Sequence, residues 1–97
     1  MDVRHLDPKL ERLETDAPFR GGYDHKLIKA FRKTMAIIRA AADERTFYAL
    51  NGLHYEKLQA KRSQQRSMRL NDQFRLLLQI EKDDGTLIVI VTIEDYH

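Results

Sequence analysis

The last four residues, Glu94, Asp95, Tyr96 and His97, place two carboxylates, a phenol and an imidazole directly after an aliphatic run. Each of these groups can take or give a proton. Chain ends are usually frayed and expendable, so such a cluster at the mouth of a buried strand raises the question of an active site. Upstream, "RSMRLND" and "QFRLLLQ" set Arg69 and Arg75 symmetrically about Asp72. A hairpin centred there brings the two arginines directly opposite each other. Like charges in that position repel, and an anion or carboxylate between them relieves the repulsion. Arginine suits an anion because its planar fork grips a phosphate at two points.

Cleavage of RNA without a metal would use these groups. The ribose 2′-OH attacks the adjacent phosphate, which requires a base for the hydroxyl, cations for the phosphorane charge and an acid for the 5′ oxygen. Asp95, Tyr96 and His97 can serve as base or acid. Arg62, Arg69, Arg75 and Lys57 can supply charge. RNA would be told from DNA by the reactive hydroxyl itself. Other chemistries find fewer parts. The chain has no cysteine, which excludes thiol catalysis, disulfides and cysteine metal frameworks, and makes a reducing compartment its natural home. There is no Gly-rich phosphate loop and no HExxH motif. His5, His25, His54 and His97 are scattered, whereas a zinc site needs three or four ligands to converge. Ser63 and Ser67 have no evident triad partners. No metal and no cofactor is expected.

The elements that must hold these groups are legible from periodicity. Asp7 and Pro8 open a short helix carrying Leu10 and Leu13, and "APFRGGY" ends it. Asp24 caps a long helix to about Ala42, with Leu27, Ile28, Phe31, Met35, Ile38 and Ala42 on one arc and Lys26, Lys29, Arg32, Lys33 and Arg39 around the rest. Asp43 and Glu44 begin a further turn ending near Asn51-Gly52. The second half turns to strands: "RSMRLND", "QFRLLLQIEK" and "GTLIVIVTIEDY", with "DDG" as a hairpin and a shorter strand around "HYEKLQ". Phe74, Leu76, Leu78 and Ile80 point one way, and Arg75, Leu77, Gln79 and Glu81 the other. The last strand is apolar on both faces and therefore central. Its expected core set is Leu87, Val89, Val91 and Ile93, leaving Thr92, Glu94 and Tyr96 on the open face, with Arg75 close to Ile93. Helices followed by an antiparallel meander give an α+β fold: a single domain over 1–97, helical over about 7–51 and sheet over about 54–97.

The formal charge of +2 conceals segregation. Residues 25–49 and 50–75 each carry six basic and two acidic side chains, whereas 76–97 carry one and five. A basic middle is consistent with a polyanionic partner. The N-terminus lacks the apolar stretch of a signal peptide, and "LIVIVTI" falls far short of the ~20 residues that span a bilayer. No membrane association and a cytoplasmic location are expected.

The combination "KLQAKRSQQRSMRLNDQFRL", a hairpin and a final "EDYH" resembles the HigB toxins of the RelE/ParE toxin superfamily of bacterial toxin–antitoxin pairs. The family pattern runs L-x-G-[DN]-R, S-[IM]-R-[LIV]-N-x-Q-[WF]-R and [IV]-x-D-Y-H. The resemblance implies helices packed on a small, mainly antiparallel twisted sheet. It also implies a ribosome-dependent endoribonuclease acting on mRNA in the decoding site, against ribosomal RNA. The implied partner is a HigA-like helix-turn-helix antitoxin, in a complex that binds operator DNA. By position, Asp95, Tyr96, His97 and Arg75 match the catalytic set, and Arg62 matches the loop arginine. Arg69, Lys57, Lys61 and His54 join them as RNA- or phosphate-binding candidates. The chain departs from the pattern at Gln59, where the loop lysine is missing and Lys57 and Lys61 flank it, at Ala60 in place of glycine, and at Glu56 where some members have histidine. His54 lies nearby but offset. Two alternatives stand beside this reading: a ParE-like inhibitor of DNA gyrase that cleaves nothing, and an antitoxin-bound corepressor without toxicity.

Overall fold

One amphipathic helix and three aliphatic strands supply most of the core. The computed structural model describes residues 1–62, 64–81 and 87–96; Ser63, the expected "DDG" turn and His97 lie outside these described residues. The order is β1 (Asp2–His5), α1 (Pro8–Thr15), α2 (His25–Ala40), α3 (Arg45–Ala49), a 3₁₀ turn (Asn51–Leu53), β2 (Glu56–Lys57), a second 3₁₀ turn (Ala60–Arg62), β3 (Gln65–Arg69), β4 (Phe74–Glu81) and β5 (Leu87–Asp95). The five strands form one sheet in the order β1-β5-β4-β3-β2. The expected α+β layout is therefore present, with helices on one face.

Local chemistry explains the helices. Asp7 accepts the Lys9 N–H at 2.9 Å and Pro8 opens α1, while Asp24 accepts the Lys26 N–H at 2.6 Å and caps α2. Between them Gly21 and Gly22 adopt φ of +59° and +84°, a turn that other residues enter only with strain. Along α2, Leu27, Ile28, Phe31, Thr34, Met35 and Ile38 are buried. Burying a side chain such as Phe31 or Met35 stabilises the fold by roughly 1.5–3 kcal/mol.

The back of α2 is less basic than its sequence suggests. Arg32 turns inward and donates to the carbonyls of Leu13, Asp16, Ala17 and Phe19 at 2.9–3.3 Å, tying the end of α1 to α2. Arg39 forks onto Glu14 at 2.5 and 2.9 Å. Lys26, Lys29 and Lys33 remain exposed.

Two features depart from the sequence reading. The chain begins with a strand, because Asp2–His5 pairs in parallel with β5, so the sheet is mixed. Four residues with charges at alternate positions carry too weak a period to announce a strand; the long-range pairing makes it one. The second departure is in β5. Pairing runs from Glu81 with Leu87 to Leu78 with Ile90, and then Leu77 pairs with Thr92, so Val91 is an extra residue in the ladder. Such a bulge switches which face each later residue occupies. Ile88 and Ile90, rather than Leu87, Val89 and Val91, join the helix-covered core, while Ile93 packs against it as expected. Val89 and Leu77 are nonetheless buried, so β4 and β5 are apolar on both faces at mid-strand.

Glu14 also shares a 2.8 Å hydrogen bond with His5, whose ring is almost fully buried. The Arg39 hydrogen bond holds the Glu14 carboxyl below its ordinary value of 4.5, against the opposing effect of burial, with His5 adding to the lowering. A carboxylate with a lowered folded-state pKa stabilises the fold above its ordinary value and loses that contribution as pH falls through the lower one. Replacing Arg39 by Met should therefore cost about 1–2 kcal/mol near neutral pH, half-exposure of the arginine limiting the effect. Urea unfolding should show the difference from wild type shrinking below about pH 4.

Candidate active site

The bulge decides where the end of β5 points. Beyond it Leu76 pairs with Ile93, Arg75 with Glu94 and Phe74 with Asp95. Arg75 thus faces Glu94, one residue on from the expected Ile93. On its other side Arg75 lies directly opposite Arg69, as the symmetry about Asp72 predicts. The turn is fixed by Asn71, whose Oδ1 accepts the N–H groups of Gln73 and Phe74 at 2.9 and 2.7 Å.

Arg75 is held by neutral groups. Its Nε donates to the Ser67 hydroxyl at 3.1 Å, and its Nη2 donates to the His54 carbonyl at 2.6 Å. Ser67 is fully buried. His54 takes the left-handed conformation, φ 45° and ψ 52°, the one non-glycine with positive φ among the described residues. For an L-residue this conformation costs about 1–2 kcal/mol, and here it accompanies a carbonyl bonded to Arg75. The guanidinium carbon also sits 5.5 Å from the centre of the Tyr96 ring. Tyr96 is anchored by its backbone, its N–H donating to the Gln73 carbonyl at 2.6 Å, while 40% of its surface stays open to solvent.

The other arginines are compensated. Arg62 reaches across from the second 3₁₀ turn and donates to both Glu94 oxygens at 2.7 and 3.3 Å. That hydrogen bonding raises the Arg62 pKa further. Arg69 forms an ion pair with Asp72. The Asp72 carboxylate beside Arg69 eases the repulsion between the opposed arginines. Arg62, Glu94, Asp95 and Tyr96 line an open recess of about 460 Å³.

The remaining candidates divide. Asp95 accepts from the Gln73 side-chain amide at 3.1 Å and pairs across from Phe74, off the Arg75 face. Lys57 lies opposite Arg66, whereas Glu56 lies opposite Ser67, so the register turns Lys57 away from Arg75 and puts Glu56 on its face. Lys61 and the His54 side chain are exposed. The structure therefore gathers Arg75, Tyr96, Arg62 and Glu94, with Arg69 at the edge. Gln73 and the His54 carbonyl escaped the sequence reading, and Ser67 entered it only as a serine without triad partners. Ser67 carries a signal in its place two residues before Arg69; a carbonyl carries none.

No family model matches the chain, and no curated protein matches it. Among solved structures it is similar to the YoeB/ParE toxin from Agrobacterium tumefaciens, at 12% identity and a TM-score of 0.58 over 100% of both chains. It is also similar to the YoeB-YefM complex from Staphylococcus aureus, at 18% identity and a TM-score of 0.60 over 100% of this chain and 97% of that one. The S. aureus YoeB dimer gives 17% identity and a TM-score of 0.56 with the same coverage. The fold is that of the YoeB/ParE-type toxins.

The socket around Arg75 makes a direct prediction. Ser67→Ala removes one acceptor and leaves Nε unpaired, costing about 1–2 kcal/mol. NMR should show the Arg75 Nε–H exchanging faster with water than in wild type; an unchanged rate would mean that the serine does not hold the arginine.

Proposed function

We propose that this protein is the toxin of a bacterial toxin–antitoxin pair, of HigB type, and a ribosome-dependent endoribonuclease that cleaves mRNA through 2′-OH attack. The toxin role is supported by a fold shared with YoeB/ParE-type toxins. One observation carries the catalytic reading: Arg75 is a guanidinium fixed by a serine hydroxyl and a peptide carbonyl, with no carboxylate partner among the described residues. Its charge is preorganised and is not tied up in an ion pair among the described residues, which suits the phosphorane formed in the reaction. Tyr96, lying against Arg75, provides a phenol for proton transfer or a ring for a base to stack on. His97 is the next residue and the candidate second proton carrier. Asp95, hydrogen-bonded to Gln73, acts in this reading by positioning the strand end. Arg62 and Arg69 can contact phosphates once their carboxylates are displaced. Lys61 and the His54 side chain extend the RNA-binding surface beside them, whereas Lys57, turned to the other face, has no part in this reading. The neutralising partner is a HigA-like helix-turn-helix antitoxin.

Arg75→Ala and Tyr96→Ala should each lower mRNA cleavage on purified ribosomes by about 10²–10³-fold and abolish growth arrest. Tyr96→Phe separates the hydroxyl from the ring, and deletion of His97 tests the last residue. Full toxicity in the Arg75 variant would sink the reading. Inhibition of DNA supercoiling without RNA cleavage would favour a gyrase inhibitor.

A further inference from the structure

On the side of α2 away from α1, an open groove runs between α2 and the segment 49–53. Its volume is about 460 Å³. Ile37, Leu50, Leu53 and Leu70 give it an aliphatic lining, and Lys33 and Arg69 stand as its cations, with no acidic side chain among the residues that line it. Leu50 leaves 40% of its surface in water, an apolar exposure that the fold does not require. Arg69 is met by the outlying Asp72. Lys33 has no ion pair among the described residues, and it continues the exposed row of Lys26 and Lys29 along α2.

We infer that this groove is the docking surface for an acidic amphipathic segment of the antitoxin, an inference that rests on the toxin–antitoxin reading. The charge balance selects the occupant: an apolar side chain enters between Ile37 and Leu50 while a carboxylate beside it meets Lys33. RNA fits less well. Its phosphates would find two cations around an aliphatic surface, and its bases would find no aromatic ring among the lining residues to stack on. The groove shares only Arg69 with the edge of the Arg75 face, and Arg69 is already paired with Asp72, so a partner held at Lys33 and Leu50 need not touch Arg75 or Tyr96.

The test takes as its probe the product of the gene adjoining that of this chain, purified and titrated against wild type, Lys33→Glu and Gly52→Trp. Lys33 is exposed, and a Cβ added at Gly52 meets no atom within 4 Å, so the Gly52→Trp side chain starts into open space rather than against the core. Each variant should weaken binding by about tenfold or more, the size expected for a central interface contact. Wild-type binding should weaken with added salt, and both variants should keep full mRNA cleavage when assayed alone. Unchanged antitoxin affinity in both variants would overturn the inference while leaving the toxin reading intact. Loss of ribosome binding or of self-association, with antitoxin affinity unchanged, would overturn it and assign the groove to RNA or to a second copy. Failure of the wild-type chain to bind that protein at all would remove the pairing and the inference together.

Discussion

The extra residue at Val91 in β5 is the constraint on which the candidate site depends. Before it, Ile88 and Ile90 must face the helices, because α2 needs an apolar surface to cover. In an unbroken ladder the same alternation would carry Thr92 and Glu94 into that core. An uncompensated carboxylate there would cost several kcal/mol. The bulge absorbs one residue, returns Ile93 to the core and leaves Glu94 facing Arg75 and Arg62. A packing requirement and a functional arrangement are thus met by one local irregularity, as is common beside active sites.

The arginines on this face show how charge is distributed between structure and chemistry. Arg62 and Arg69 each have a carboxylate, so their charge is balanced in the free protein. Arg75 is gripped as firmly, by Ser67 and His54, but through neutral oxygens that fix its direction without cancelling its field. A side chain held this way loses little entropy on meeting an anion. Elsewhere in the fold the same division appears: Arg32 satisfies four carbonyls at the end of α1 and Arg39 serves Glu14, both acting as structural cations. Cations at similar sequence positions therefore have different uses, and the difference lies in what surrounds them.

The end of β5 illustrates a limit of local reasoning. Helix caps at Asp7 and Asp24, the buried stripe of α2 and the Asn71 turn all follow from neighbours in sequence. Gln73, in that same turn, holds the end of β5 by two routes, its side chain to Asp95 and its carbonyl to Tyr96. Both contacts join residues more than twenty positions apart, so neither leaves a period or a spacing to be read.

By itself the sequence determined the α+β order of its main elements, the face of α2 that is buried, the hairpin symmetry that opposes Arg69 to Arg75, and the presence of proton-transferring groups at the end of β5. These are consequences of side-chain period and turn chemistry, which act over a few residues. Tertiary structure alone decided that Asp2–His5 is a strand, that the faces of β5 exchange at Val91, that Lys57 turns away while Glu56 shares the face of Arg75, and that of Arg62, Arg69 and Arg75 only the last has no carboxylate partner among the described residues. The reason is that a bulge, a parallel edge strand and a carbonyl acceptor are set by distant partners, whose free energy appears only when the sheet closes.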